Sequence, residues 1–198
     1  MIYSVDWFSH NEPHLTKLLQ PFIGLDNLNV LEIGAFEGRS TNFFCEKIFT
    51  GKNISYTVID PFTGSPEEQR MARFDSNKLR ERFEANTAHN THISFDIISE
   101  QSRNVLPLLN TSFDFIYVDG AHTSDNVLID GIYSFRLLKK HGVIVFDDYL
   151  WKDPNRDHPL QSPKLAIDTF HELYSKSMKQ ILFGSQVGFQ KTGVENYE

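Results

Sequence analysis

Short β-branched apolar runs alternate along this chain with longer segments whose apolar positions recur at helical spacing. NVLEIGA (29–35), ISYTVIDPF (54–62), HISFDIIS (92–99), FDFIYVDG (113–120) and GVIVFDDY (142–149) predict five strands. Between them, RSTNFFCEKIF (39–49) predicts a helix with Phe44 and Ile48 at helical spacing, and SRNVLPLL (102–109) a short one. DNVLIDGIYSFRLLKK (125–140) predicts a helix with Leu128, Ile132, Phe135 and Leu138 on one face. It closes on Lys139-Lys140-His141-Gly142, cations at the negative helix end followed by a glycine cap. The charged stretch 65–90 has apolar positions at Met71, Phe74, Leu79 and Phe83, and predicts two helical pieces broken near Asp75-Ser76-Asn77. Ser162-Pro163 opens a last helix, with a capping hydroxyl and proline in the first turn. That helix is expected to run to about Met178 and to bury Leu165, Ala166, Thr169, Phe170 and Leu173. KQILFGSQVGFQKTG then predicts two antiparallel strands joined at Gly184-Ser185.

Strands alternating with helices imply an α/β fold: a mostly parallel sheet of seven strands, helices on both faces, and a C-terminal antiparallel hairpin. With no repeat, linker or low-complexity stretch, residues 1–198 are read as one domain, with 1–28 as an N-terminal helical cap and 63–90 as a lid insertion or oligomer contact. In such sheets ligands bind beyond the carboxyl ends of the strands. Those ends carry Glu32 and Gly34, Asp60, Ser99 to Ser102, Asp119, and Asp147-Asp148.

Composition narrows the function classes. A formal charge of -7, from 19 basic and 26 acidic residues, argues against a broad nucleic-acid surface. The single cysteine, Cys45, permits no internal disulfide, and its place in a helical pattern makes it a packing residue rather than a nucleophile. The N-terminus lacks a basic start and an apolar run, and no stretch approaches the roughly 20 residues that span a bilayer. The expectation is a cytoplasmic protein with no membrane or nucleic-acid partner.

LEIGAFEGRST places Gly34 and Gly38 between a strand and a helix, where the backbone must turn sharply and can approach a ligand closely. Asp60 ends the next strand, 28 positions after Glu32, where a carboxylate can accept both hydroxyls of a ribose. The G-x-G-x-x-G pattern of dinucleotide binders is absent, which disfavours an NAD(P)-dependent oxidoreductase. An acid at Glu32 would repel a pyrophosphate but suits a ligand carrying an amino group. Turn glycines are common by themselves; with Asp60 in place they point to a nucleoside-type ligand.

The second cluster lies at the ends of two further strands: Asp119, with His122 three residues on, and Asp147-Asp148. Singly, such aspartates are ordinary turn or capping residues, and a lone loop histidine usually packs or solvates. Three carboxylates together would repel each other, a conflict a divalent cation relieves. Hard oxygen ligands from Asp119, Asp147 and Asp148 suit Mg²⁺ first, then Mn²⁺ or Ca²⁺. His122 is the candidate general base, since its ordinary pKa lies near neutrality.

With LEIGAFEGRS as a first motif, VIDPF as a second and the closing hairpin, residues 28 to 192 resemble the class I S-adenosylmethionine-dependent methyltransferases, whose fold is Rossmann-like. Within that class the chain is most similar to the metal-dependent O-methyltransferases, both catechol-type enzymes and those that modify sugars on macrolide- and cephalosporin-type antibiotics. The resemblance implies that Glu32 holds the methionine amino group through water, and that Gly34, Phe36, Gly38 and Ser40 line the methionine and ribose side. It places Asp60 at the ribose, Gln101 and Ser102 at the adenine, and Asp119 beside both cofactor and metal. At the adenine position this chain has Glu100-Gln101-Ser102 where the pattern commonly has Gly-Asp-Ser or Gly-Ala-Ser. A basic residue at the offset of His122 is also part of the pattern. The expected activity is methyl transfer from S-adenosylmethionine to a hydroxyl of a small molecule, a sugar or polyhydroxylated metabolite. The rival readings are a cofactor-binding protein without catalysis, which would not need the acid–histidine set, and the oxidoreductase. A nucleic-acid methyltransferase is disfavoured further by the missing Asn-Pro-Pro-Tyr type of motif.

Overall fold

The computed structural model describes residues 1–65, 69, 75–153 and 158–193. Seven strands form one sheet in the order β3-β2-β1-β4-β5-β7-β6: β1 (Asn29–Ile33), β2 (Ile54–Ile59), β3 (Ile93–Ile98), β4 (Phe113–Val118), β5 (Leu138–Phe146), β6 (Met178–Phe183) and β7 (Val187–Lys191). The first five are parallel, and β7 runs antiparallel to both β5 and β6. The switch point falls between β1 and β4, where Ile33 pairs with Val118, so the β1 and β4 exit loops share one opening.

The helices are α1 (Glu12–Leu19), α2 (Arg39–Phe43), α3 (Leu79–Thr87), α4 (Ser102–Val105), α5 (Ser124–Leu137) and α6 (Pro163–Tyr174). Two apolar layers result. On one side Phe8, Phe44, Phe49, Tyr56, Phe83, Phe115 and Tyr117 are buried together; on the other, Ile116, Phe135, Ile144, Phe146, Phe170 and Phe189. Central strands buried on both faces explain the unbroken apolar runs that announced them. Among the described residues no helix is long and apolar enough to cross a membrane.

Several local expectations shift. The helix expected over 39–49 is α-helical only to Phe43; Phe44–Ile48 forms a wider π-type turn, closed by Phe49 N donating to Phe44 O at 2.8 Å. Gly142 caps no helix. α5 stops at Leu137, and Lys139 to His141 already belong to β5, where Leu138 pairs with Phe113 and Lys139 reaches Asp114 at 2.7 Å. Sheet pairing overrides the Lys-Lys-His-Gly stop signal. The buried face of α5 is also rotated from the expected one: Val127, Asp130, Gly131, Ser134 and Phe135 are buried, while Leu128 and Ile132 are half-buried. The small residues let Phe146 and Phe170 approach, since a Cβ on Gly131 would lie 3.0 Å from Phe170.

Ser162 does cap α6, its Oγ accepting from Lys164 N at 3.4 Å, but the helix ends at Tyr174. Ala166, Ile167 and Phe170 are buried on it, whereas Leu165 and Leu173 are exposed. The break near Asp75 is a short 3-10 turn, Ser76–Lys78, whose start Asp75 caps. Met71 and Phe74, expected in the preceding helical piece, lie outside the described residues.

Candidate active site

A cleft of about 690 Å³ opens at the carboxyl ends of the parallel strands. Each parallel strand's exit loop contributes to its wall: Gly34, Ala35 and Phe36 after β1, Asp60 and Pro61 after β2, Gln101 and Ser102 after β3, Asp119 to Thr123 after β4, and Asp147, Asp148 and Trp151 after β5. The N-terminal segment adds Trp7, Phe8 and His10, and the stretch after β2 adds Gly64, Ser65 and Leu79.

The β1 loop is shaped by its backbone. Gly34 has φ +80, and a Cβ there would lie 2.0 Å from the Asp119 carbonyl oxygen, so only glycine fits between the β1 and β4 exits. Phe36 also has a positive φ, 48, and Gly38 one of 81. Asp60 fastens this loop: its Oδ2 accepts from the amides of Ala35 (2.8 Å) and Phe36 (2.9 Å), and its Oδ1 from Phe62 N (2.6 Å). Burial raises its pKa, and these three amides oppose the rise. Asp60 lines the cleft with part of its accepting capacity still free.

Glu32 sits differently from the mouth-of-the-loop position its motif suggests. It is 0 % exposed and outside the cleft wall, accepting hydroxyl hydrogens from Ser40 (2.5 Å), Thr41 (2.6 Å) and Tyr56 (2.9 Å). Burial lifts its pKa to about 7 against these three donors. Ser40 does line the cleft, so Glu32 bears on the cavity through that hydroxyl. Gly38 is likewise a packing position: a Cβ there would meet Thr87 and Phe83 on α3.

At the other end, Asp119, His122 and Asp148 converge. His122 Nε2 lies 3.0 Å from an Asp148 oxygen and 3.9 Å from one of Asp119. One ligand atom from each of the three can lie within 4.8 Å of the others, a spacing that could hold a metal ion. Burial alone would lower the imidazole pKa; bonding to Asp119 and Asp148 outweighs it and raises it to about 10. Burial and the Asp147 charge push Asp119 well above the ordinary carboxylate range, with His122 opposing. The imidazole thus sits between two acidic side chains that favour its protonated form. The Asp119 and Asp148 oxygens, with room for water and substrate, are hard donors that suit a divalent cation, and the imidazole beside them suits proton transfer.

Asp147 falls outside this group, unlike the expected set of Asp119, Asp147 and Asp148. Its Oδ2 accepts from the Tyr117 hydroxyl and from Asn11 Nδ2 (3.3 Å), while Oδ1 accepts from Asp148 N (2.7 Å). Asp148 has a left-handed backbone, φ 57, which turns its side chain away from the line of the strand. Both acids line the cleft, but the backbone twist gives them different partners.

The loop 150–162 leaves directly from Asp148, so its Trp151, Arg156 and His158 are the sequence's candidates for substrate contact. The chain's two tryptophans both line the cleft, Trp7 stacked on Phe36 at 5.7 Å and Trp151 over His122 at 4.6 Å. His158 lies off the cleft wall, its Nδ1 accepting from Leu160 N, and Arg156 lies outside the described residues. Asn11 and Tyr117, which bond Asp147, and Trp7, which lines the cleft, belong to no motif. The only signal available was the aromatic-rich N-terminus.

A family model described as a methyltransferase domain matches residues 31–149, from β1 through the acid pair. An uncharacterized protein of Acanthamoeba polyphaga mimivirus is 28% identical over 141 residues, 71% of this chain; the match spans 60% of that protein's length. Among solved structures, an O-methyltransferase from Bacillus cereus crystallised with S-adenosylhomocysteine superposes with TM-score 0.63 at 17% identity, covering 96% of this chain and 84% of that one. The O-methyltransferase TomG from Streptomyces achromogenes, in complex with S-adenosylmethionine, gives 0.60 at 18% identity over 91% and 80%. A putative rRNA methylase from Clostridium thermocellum gives 0.64 at 11% identity over 96% and 100%, so the shared fold serves several acceptors. With its sheet order, its glycine-shaped β1 loop and the family match over more than half its length, the chain belongs to the methyltransferase-domain family and has the class I methyltransferase fold.

Proposed function

We propose that this protein is an S-adenosylmethionine-dependent O-methyltransferase that acts on a hydroxyl of a small molecule, a sugar or other polyhydroxylated metabolite. The observation that carries this reading is the Asp119–His122–Asp148 cluster, which opens into the same cleft as the Gly34 loop and Asp60. The cleft's volume, about 690 Å³, is in the range that holds a cofactor with a small acceptor. The solved O-methyltransferases that share the fold support the choice of oxygen as acceptor atom.

S-adenosylmethionine supplies a methyl group already activated by its sulfonium, so the protein's work is positioning and proton management. Asp60 accepts the ribose hydroxyls with the capacity its three amides leave free. Gly34 and Ala35 bring backbone against the methionine portion, with Ser40, backed by Glu32, beside it. Gln101 and Ser102 face the adenine.

Asp119 and Asp148 would hold a divalent cation, Mg²⁺ by donor type; such an ion lowers the pKa of a bound hydroxyl. His122, beside those oxygens, is the group placed to take the acceptor's proton as oxygen attacks the methyl carbon and the carbon–sulfur bond breaks, leaving S-adenosylhomocysteine. The acidic lining supports an uncharged or cationic acceptor.

The test is a methyl-donor assay against a panel of glycosides, polyols and catechols, with and without chelator. Transfer to hydroxyl acceptors that stops in chelator is expected. Transfer that is indifferent to chelator would eliminate the cation role, and NADH binding in place of S-adenosylhomocysteine would eliminate the cofactor.

A further inference from the structure

We infer that Asp130 is a positioning residue: its buried carboxylate draws the proton of the Ser102 hydroxyl inward, so that the Ser102 oxygen faces the cleft as an acceptor and selects a purine carrying an exocyclic amino group. The inference rests on the reading of Gln101 and Ser102 as the adenine wall.

Three observations carry it. Asp130 lies on α5, 1 % exposed and behind the cleft wall rather than on it. Both its carboxylate oxygens are buried, and among the described residues neither has a hydrogen-bond partner. A carboxylate in that state is costly unless a donor can reach it.

Its position is the second observation. A Cβ on Gly120 would lie 3.5 Å from Asp130 Oδ2, so the carboxylate sits directly behind the β4 exit turn, and Gly120 itself lines the cleft.

The third is the group that acts on it. Burial lifts the Asp130 pKa to about 6, and the Ser102 side chain, then the Arg103 charge, oppose the rise. Ser102 opens α4 and lines the cleft. Its hydroxyl is near enough to steady the carboxylate without yet being aligned into a full hydrogen bond. Arg103 is engaged elsewhere: its guanidinium donates to Asn126 Oδ1 and lies 3.5 Å from an Asp125 oxygen. Ser102 is therefore the donor that Asp130 has to hand.

Proton count gives the consequence. A serine hydroxyl has one proton and two lone pairs, and an ionised carboxylate can only accept. With its proton turned to Asp130, the Ser102 oxygen can only accept from the cleft. The amino group of adenine donates to such an oxygen. The 6-oxo group of hypoxanthine is itself an acceptor and would leave both oxygens unpaired, so the deaminated base is rejected.

The test compares S-adenosylhomocysteine with S-inosylhomocysteine, its deaminated analogue, by calorimetry on the full chain at neutral pH. The wild type should bind the first at least about tenfold tighter. Asp130→Leu, similar in shape but unable to accept, should shrink that ratio at least about fivefold, because the released Ser102 hydroxyl can donate to the 6-oxo group. Asp130→Asn, whose amide oxygen still accepts, should keep the ratio within about threefold of the wild type. Ser102→Ala should also shrink the ratio, and adding Asp130→Leu to it should change the ratio no further. A carboxylate that only supported the fold would weaken both ligands alike and leave the ratio where it was; thermal melts report that loss separately.

An unchanged ratio in Asp130→Leu would overturn the inference. So would a further fall when Asp130→Leu is added to Ser102→Ala, since the carboxylate would then act by another route. Should Asp130→Leu not fold, an unchanged ratio in Ser102→Ala is equally decisive against it. A wild type that binds the two ligands equally would overturn the inference and leave the cofactor reading intact, whereas one that binds neither would remove the cofactor reading, and the inference with it.

Discussion

Gly34 and Asp119 meet backbone to backbone at the switch point: a Cβ on Gly34 would lie 2.0 Å from the Asp119 carbonyl oxygen. The cofactor-side loop and the acid–histidine loop are thus built against each other, and neither can shift without the other. Gly34→Ala combines a left-handed backbone with that clash, and should cost at least about 3 kcal/mol. Urea denaturation would show it; an unchanged midpoint would mean that the two loops slide apart freely.

Asp60 staples the β1 loop by accepting the Ala35 and Phe36 amides, and accepts Phe62 N from its own turn. Asp60→Ala strands those donors and removes the proposed ribose acceptor. S-adenosylhomocysteine affinity should fall about a hundredfold by calorimetry, and Asp60→Asn should restore part of it. Equal affinity in Asp60→Ala and wild type would leave Asp60 with a packing role only.

Glu32 makes stability depend on pH in a definite direction. Its folded pKa is about 7, against an ordinary value of 4.5. Across that window the folded chain keeps a proton that the unfolded chain has lost, so this group's contribution falls as pH rises from about 4.5 to 7 and stays low above. Glu32→Gln has no such titration. The melting temperature of Glu32→Gln relative to wild type should therefore rise by several degrees between about pH 5 and pH 8. A difference independent of pH would show Glu32 ionised throughout, stabilised by its three hydroxyl donors.

His122 lies between the Asp119 and Asp148 carboxylates, with Trp151 packed on its ring. His122→Ala should lower turnover at least about a hundredfold, the usual contribution of a general base, while leaving S-adenosylhomocysteine affinity nearly unchanged. Loss of cofactor binding in this variant would mark His122 as part of the cofactor wall instead.

Phe44 is fully buried at the start of the π-type turn, with ring centroids of Phe43, Phe115 and Tyr117 within 5.3 Å. Phe44→Ala should cost about 3–5 kcal/mol and lower the melting temperature sharply. A cost below about 1 kcal/mol would mean that the surrounding rings collapse into the space.

What the sequence determined by itself was the parallel core and the addresses of the chemistry. An unbroken apolar run such as FIYV (115–118) is satisfied inside a sheet covered on both faces, which places Asp119 where that sheet meets its ligands. The glycine loop and the second-strand acid were legible because turn geometry and charge are local properties. Tertiary structure alone decided the rest. The end of α5 depended on Leu138 finding Phe113 across the sheet, a pairing 25 residues apart in the chain. The burial of Glu32 depended on hydroxyls from α2 and β2. The separation of Asp147 from Asp148 depended on Asn11 and Tyr117, 136 and 30 residues away. Adjacent carboxylates look equivalent in a sequence; which one reaches His122 and which one takes Tyr117 and Asn11 is fixed by the donors the fold brings to each, and those contacts leave no local trace in the chain.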